Sequence, residues 1–247
     1  RNLGKGWGYT VSLLTALIAH ELGHYFTARH FGVAVTLPYL IPFPLSPFGT
    51  MGAIIRMKDV PPNKRAMLLI AAAGPLAGLV VGIPILLFGL SLSEVGPLPT
   101  QGGYSIEGNS LLYAALKFLT FGRLLPSGGD DVLLHPIAFA GWASLLVTSF
   151  NLIPAGQLDG GHIAHALLGA KARYLNWVIM GMLLVLGIWW QGWWLWTALI
   201  FLFSRLTVRP LDDVSPLTPE EIAGAICLLV LFIATFTPLP LRLVMQR

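Results

Sequence analysis

The stretch from Ala66 to Leu92, "AMLLIAAAGPLAGLVVGIPILLFGLSL", runs from end to end without a charged side chain. Roughly 20 apolar residues suffice for one helix to cross a bilayer, so this segment is long enough to span a membrane. Comparable runs recur at about 7–29, 136–153, 176–206 and 219–238. Only 11% of the chain is charged and 55% is hydrophobic, against about 25% charged in an ordinary soluble domain. A chain so poor in charge cannot cover a soluble core with a polar surface. The reading is an all-α polytopic membrane protein with about five to six transmembrane helices, in one domain covering 1–247.

Two details modify that outline. After the first span, "LPYLIPFPLSPFGTMGAIIRMKDVPPNK" carries too many prolines for a helix, and its "GTMGAIIRM" half has the β-branched, apolar character of a short membrane-associated strand or hairpin. The run at 176–206 is too long for one comfortable crossing, and Gln191–Gly192 near its centre predicts two short spans meeting there. The linker 93–133 holds Glu94, Glu107, Asp130 and Asp131 and a short apolar piece, "NSLLYAALKFLTFG", suited to the interface. Five tryptophans at 189–196 read as belt residues or helix packing rather than a ligand box.

Charge gives orientation rather than partners. The formal net charge is +4, but the basic residues sit singly at helix ends, with no basic run that would bind nucleic acid. Arg29, Arg56, Lys58, Lys64 and Arg65 lie between the first two spans, while 93–133 is net acidic. Positive-inside bias puts the end of span one on the cytoplasmic or equivalent side. The end of span three, near Asn151–Asp159, returns to that face. The single cysteine, Cys227, can form no intrachain disulfide.

Within the first apolar run stands "AHELGH". Residues four apart share a helix face, so His20 and His24 can turn ring nitrogens to one ion. Glu21 then stands beside that ion as a general base. This is the H-E-x-x-H arrangement of hydrolytic zinc sites. Three such residues are costly in a membrane helix unless they have chemistry to do, and hydrogen bonding between packed helices would need only one of them. A catalytic site needs a third protein ligand. His30 lies about 15 Å further along the helix from His20 at 1.5 Å per residue, too far. "FNLIPAGQLDGGHIAHALLG" places Asp159 after the helix-breaking Pro154, beside Gly160–Gly161, on the face where the histidines end. Asp159 is the expected third ligand, with His162 and His165 as rivals or as hydrogen-bonding support. His135, beside Pro136, reads as interfacial.

The two motifs, His20-Glu21-x-x-His24 and Asn151-x-x-Pro154-x-x-x-Leu158-Asp159-Gly160, in this order, resemble the signatures of the site-2 protease family of intramembrane zinc metalloproteases. The resemblance covers about 8–168 and includes "AAAGPLAGLVVG". Some members have an asparagine where Gly78 stands. The resemblance implies cleavage of peptide bonds in transmembrane protein substrates within the lipid bilayer, with one Zn2+ per chain on His20, His24 and Asp159. Glu21 would activate water, and Asn151 would orient substrate or stabilise the oxyanion. "FGTMGAIIRM" would be a strand to which an unwound substrate adds, Gly49 and Gly52 allowing close approach. Proline-broken segments at 38–47 and 154–160 would line a water path. The linker 93–133 is too short for an inserted PDZ-like domain, so the likeness is to compact members, of bacterial inner membranes or plastid-type membranes, with further C-terminal helices at about 174–238. A metal transporter would need ionisable residues along a route, which these spans lack. A silent scaffold would have no use for the intact motifs, and prenyl-protein endopeptidases pair H-E-x-x-H with other partners.

Overall fold

Two helices of 28 residues, α1 (Leu3–His30) and α2 (Lys64–Ser91), form the centre of the fold, joined later by α4 (Pro136–Asn151). The computed structural model describes residues 3–42, 49–98, 102–204 and 210–246. Small residues let these three helices meet at backbone distance. A Cβ on Gly23 of α1 would stand 2.9 Å from Ala77 Cβ, and one on Gly141 of α4 would stand 2.6 Å from Leu86 Cα of α2. Asn63 caps α2 by accepting from the Ala66 amide at 2.8 Å, and Pro75 and Pro84 lie inside that helix.

Between α1 and α2, β1 (Tyr39–Pro42) pairs antiparallel with β2 (Thr50–Ile54), with Tyr39 opposite Ile54 and an irregularity before Pro42. This is the expected hairpin. Residues 43–47 of the proline-broken segment lie outside the described residues. The expectation of an otherwise all-helical chain needs correction, because two more strand pairs form. β3 (Glu94–Pro97) pairs with β5 (Asp130–Leu133), and β4 (Gly102–Glu107) pairs with β6 (Leu241–Gln246) at the C-terminal end. These strands are short and join segments far apart in sequence, so no local alternation announced them.

Helix α3 (Leu111–Phe121) packs beside these strands through a buried charge cluster. Lys117, fully buried, lies 3.2 Å from Asp131 and 3.9 Å from Glu107. The Tyr113 hydroxyl donates to Glu107 at 3.0 Å. Two of the acids that make the linker net acidic are thus interior partners of one lysine.

The C-terminal region contains α5 (Asp159–Leu168), α6 (Ala172–Leu186), α7 (Gly192–Ser204) and α8 (Pro219–Thr235). α6 ends at Leu186 and α7 begins at Gly192, so the break occupies 187–191 and starts four to five residues before the Gln191–Gly192 position expected from the sequence. Trp193 is fully buried, donates to the Pro238 carbonyl at 2.7 Å and meets Phe150 edge-on, while Trp189 is mostly exposed. The tryptophans therefore divide between packing and surface. Beyond α7, Leu211 and Asp212 donate to the carbonyls of Pro61 and Pro62, each at 3.0 Å. This fastens the α7–α8 connection to the start of α2.

Among the described residues, α2 is the one helix long and apolar enough to cross a membrane by length and composition. α1 equals it in length but carries the polar motif. α4, α6, α7 and α8 have 16, 15, 13 and 17 residues, each shorter than the roughly 20 of a full crossing.

Candidate metal centre

His20 and His24 point from one face of α1 towards α2, their ring centroids 4.9 Å apart. His24 is oriented from behind. Its Nδ1 is 2.7 Å from the Ile70 carbonyl, so Nδ1 carries the proton and Nε2 presents its lone pair forwards. The ring can lie this close because position 74 has no side chain: a Cβ there would fall inside the imidazole. Pro75 cannot donate to the Ala71 carbonyl, which loosens the helix wall next to the acceptor. Gly-Pro in the middle of α2 therefore makes the seat for His24. The back of His20 is different. Its Nδ1 is buried without a hydrogen-bond partner and faces Gly78, whose Cβ would stand 3.1 Å away.

The third residue arrives on a turn. α4 ends at Asn151, Pro154 prevents its continuation, Gly156 takes a positive φ of 61°, and α5 begins with Asp159. Gly160 and Gly161 are needed because the turn folds back on them. Added Cβ atoms would stand 2.6 Å from the Ile153 carbonyl oxygen and 2.8 Å from that of Ala155. Asp159 Oδ2 thereby reaches His20 Nε2 at 3.4 Å and His24 Nε2 at 3.3 Å, while the two Nε2 atoms are 3.2 Å apart.

These spacings test the fit to a metal. Ligands about 2.0–2.1 Å from a tetrahedral ion lie about 3.3–3.4 Å from one another. Two imidazoles and a carboxylate at that separation match a zinc-type donor set, and they are the one such group among the described residues. A fourth corner is left for water or substrate.

A cavity of about 810 Å³ opens on this centre. Glu21 lines it, is almost fully buried, and its carboxylate reaches the Ile55 backbone. Asn151 lines it as well, with Nδ2 3.3 Å from His20 Nε2. The far wall is the chain that continues β2, Ala53 to Pro61, and Phe203 of α7 closes one side.

The remaining candidates fall elsewhere. Gly49 and Gly52 are on the hairpin but do not line the cavity. Nothing lies within 4 Å of a Cβ added to either, and their φ values of 74° and 106° explain the glycines. A positive φ of this size favours glycine at both positions. His162 lines the cavity but stands outside the three-residue group, and His165 turns to Asp213 at 3.5 Å. His135 caps α4. Sequence reasoning missed Ile70, Gly74 and Phe203. The Gly-Pro pair inside an apolar helix was the available signal for the first two.

Residues 8–188 match peptidase family M50. Over 236 residues the chain is 32% identical to an Arabidopsis thaliana protein named probable zinc metalloprotease EGY2, chloroplastic, a match covering 94% of this chain and 42% of that protein. It is 32% identical over 234 residues to probable zinc metalloprotease EGY1, chloroplastic, of Oryza sativa subsp. japonica, covering 92% of this chain and 40% of the relative. The chain thus spans about two fifths of the length of these relatives. The family match takes in both the α1 histidines and the turn that brings Asp159 to them, and the chain belongs to peptidase family M50.

Proposed function

We propose that this chain is an intramembrane zinc metalloprotease domain that hydrolyses peptide bonds within or near transmembrane segments of membrane-protein substrates. The observation that carries the reading is the 3.2–3.4 Å spacing of His20 Nε2, His24 Nε2 and Asp159 Oδ2, with Glu21 facing the same cavity. His20, His24 and Asp159 would hold one zinc ion per chain. Bound there, zinc supplies Lewis acidity that polarises a carbonyl and lets water ionise near neutral pH. Glu21 takes the proton of the attacking water and delivers it to the leaving amine. Asn151, fixed at the end of α4, offers an amide N–H to the oxygen of the substrate carbonyl as charge develops.

A peptide bond inside a helix is closed off by its own hydrogen bonds. The stretch Ala53–Pro61 offers an extended wall along the cavity, against which an unwound substrate segment pairs and exposes its carbonyl. Gly49 and Gly52 set the hairpin's shape at the start of that wall. α1, α2, α4, the α6–α7 pair and α8 together make five or six crossings, the short helices meeting partners inside the bilayer. The single domain extends over 1–247 with its catalytic core at 8–168, and the site opens to the cytoplasmic or equivalent side. The names of the relatives favour a plastid-type membrane, with a bacterial inner membrane as the other setting.

The test is metal content and cleavage of a single-span substrate by detergent-purified protein. About one zinc per chain, retained by Glu21→Gln while cleavage falls by about 10²–10⁴, the range typical of general acid–base catalysis, supports the roles given. A wild-type protein that takes up no zinc on reconstitution would overturn the reading.

A further inference from the structure

The turn that carries Asp159 is held by scattered bonds rather than by a helical ladder, among them Ile153 N to the Phe150 carbonyl at 3.2 Å and the His162 side chain to the Gln157 backbone. Between the end of α4 and the start of α5, Ala155 N bonds only to the nearby Ile153 carbonyl at 2.7 Å. The next amide, Gly156 N, leaves the turn altogether. It donates to Oδ1 of Asn176 on α6 at 2.8 Å. The other end of that side chain is held too, since Asn176 Nδ2 donates to Met180 Sδ at 3.6 Å, one helical turn on. Asn176 is therefore fixed at both ends of its amide. On the other side Gly156 presses on α7, where Ile200 Cγ2 would be 3.2 Å from an added Cβ. The positive φ at Gly156 turns the chain so that Gln157, Leu158 and Asp159 face the cavity.

We propose that Asn176 is a positioning residue for Asp159. By accepting the Gly156 N–H, it fixes the turn from α6 and so sets the distance of the carboxylate from His20 and His24. This rests on the metalloprotease reading above. A ligand's supporting hydrogen bond matters because a metal site tolerates deviations of only about 0.2 Å. Loss of such support commonly costs 10–100-fold in metal affinity or activity. Irregular backbone at membrane depth also needs a partner within the protein, lipid having none to offer. The anchor lies at the opposite end of the turn from Asp159 and does not touch the metal ligands, so its loss should loosen the carboxylate without removing it.

The experiment compares zinc release to a chelator by wild type, Asn176→Leu, which keeps bulk but accepts nothing, and Asn176→Asp, which keeps an acceptor oxygen. Hydrogen exchange at the Gly156 amide is followed in parallel. Release about tenfold or more faster in the Leu variant, with exchange accelerated at Gly156 and both restored in the Asp variant, is the expected result. Under saturating zinc, kcat should fall in the Leu variant while KM stays close to wild type. Unchanged zinc release in Asn176→Leu would overturn the proposal, as would equal impairment of Leu and Asp variants, which would mark a packing role. If the Leu variant does not fold, Asn176→Ala takes its place with the same expectations. Failure of wild type itself to hold zinc would instead sink the function proposed above.

Discussion

Replacement of Gly74 by alanine tests whether the Gly-Pro pair of α2 exists to seat His24. The added methyl would fall within the imidazole, with His24 Cδ2 2.5 Å away and other ring atoms nearer. Non-bonded carbons settle at about 3.5–4.0 Å, so the ring must retreat by about 1 Å or more. α2 is itself held in place, because further along it packs on α4 at backbone distance at Gly89 and Gly141, with Gly82 against the Ser144 hydroxyl. The retreat lengthens the His24–Ile70 bond, now 2.7 Å, and draws Nε2 away from the metal position by several times the tolerance of about 0.2 Å. Overpacking of this kind costs about 1–3 kcal/mol of stability. The larger effect should be on the metal, a fall in zinc affinity of about 100-fold, at the upper end for disturbed ligand support, with cleavage near background. Gly78→Ala, where the added atom meets His20 Nδ1 at 3.1 Å, should be milder, about tenfold. Gly181→Ala, with nothing within 4 Å, should match wild type. Chelator competition on the three purified variants, with thermal unfolding alongside, gives the order. Wild-type zinc affinity in Gly74→Ala would refute the argument, as would an equal loss in all three.

Other outcomes follow from the same geometry. Asp159→Ala should lose most of its zinc by mass spectrometry while His162→Ala keeps a full complement, and the reverse would move the third ligand to His162. Lys117→Met should lower thermal stability sharply, by about 3–5 kcal/mol, the usual cost of breaking a buried ion pair, because Asp131 and Glu107 keep their burial and lose their cation. Asp131→Asn added to it should recover part of that loss. Burial raises the Glu107 carboxyl above its ordinary value of 4.5, so its protonated form is the one the fold favours. Its contribution to stability is then full below pH 4.5 and is lost as pH rises through the folded value. Denaturation measured across that window should show a flatter profile in Glu107→Gln, and an unchanged slope would rule the group out.

The helices were legible because each is an apolar run ended by a breaker. Pro154 stops the chain after α4, and the polar Gln191 beside Gly192 marks the start of α7, whereas the caps at Asn63 and at Thr218 with Glu221 went unread. The pairing of His20 with His24 was legible because helical spacing puts them on one face, and Asp159 stood out as a carboxylate between breakers in an otherwise apolar region. What escaped was tertiary in origin. Ile70 acts through its carbonyl, which every residue possesses. Asn176 is one amide on an apolar helix, and only the folded chain shows it meeting Gly156. The β4–β6 pair joins the middle of the chain to its end, and neither "GGYSIE" nor "LRLVMQ" signals the other. The acids of 93–133 served to orient the chain, whereas Glu107 and Asp131 lie in the interior beside Lys117.

The two halves of the metal centre are far apart in the chain, 131 residues separating His20 from Asn151. Synthesis therefore delivers them at different times. At roughly 5–20 residues per second the first histidine precedes Asp159 by about 7–28 s, estimated from that rate. Throughout that interval the growing chain has two imidazoles and a glutamate but no third ligand and no complete cavity. On the function proposed above, the chain would be born among other helices entering the same bilayer, some of them its substrates. Under the proposed roles, placing the last ligand after α4 would keep the newborn chain inert until it has folded back on itself.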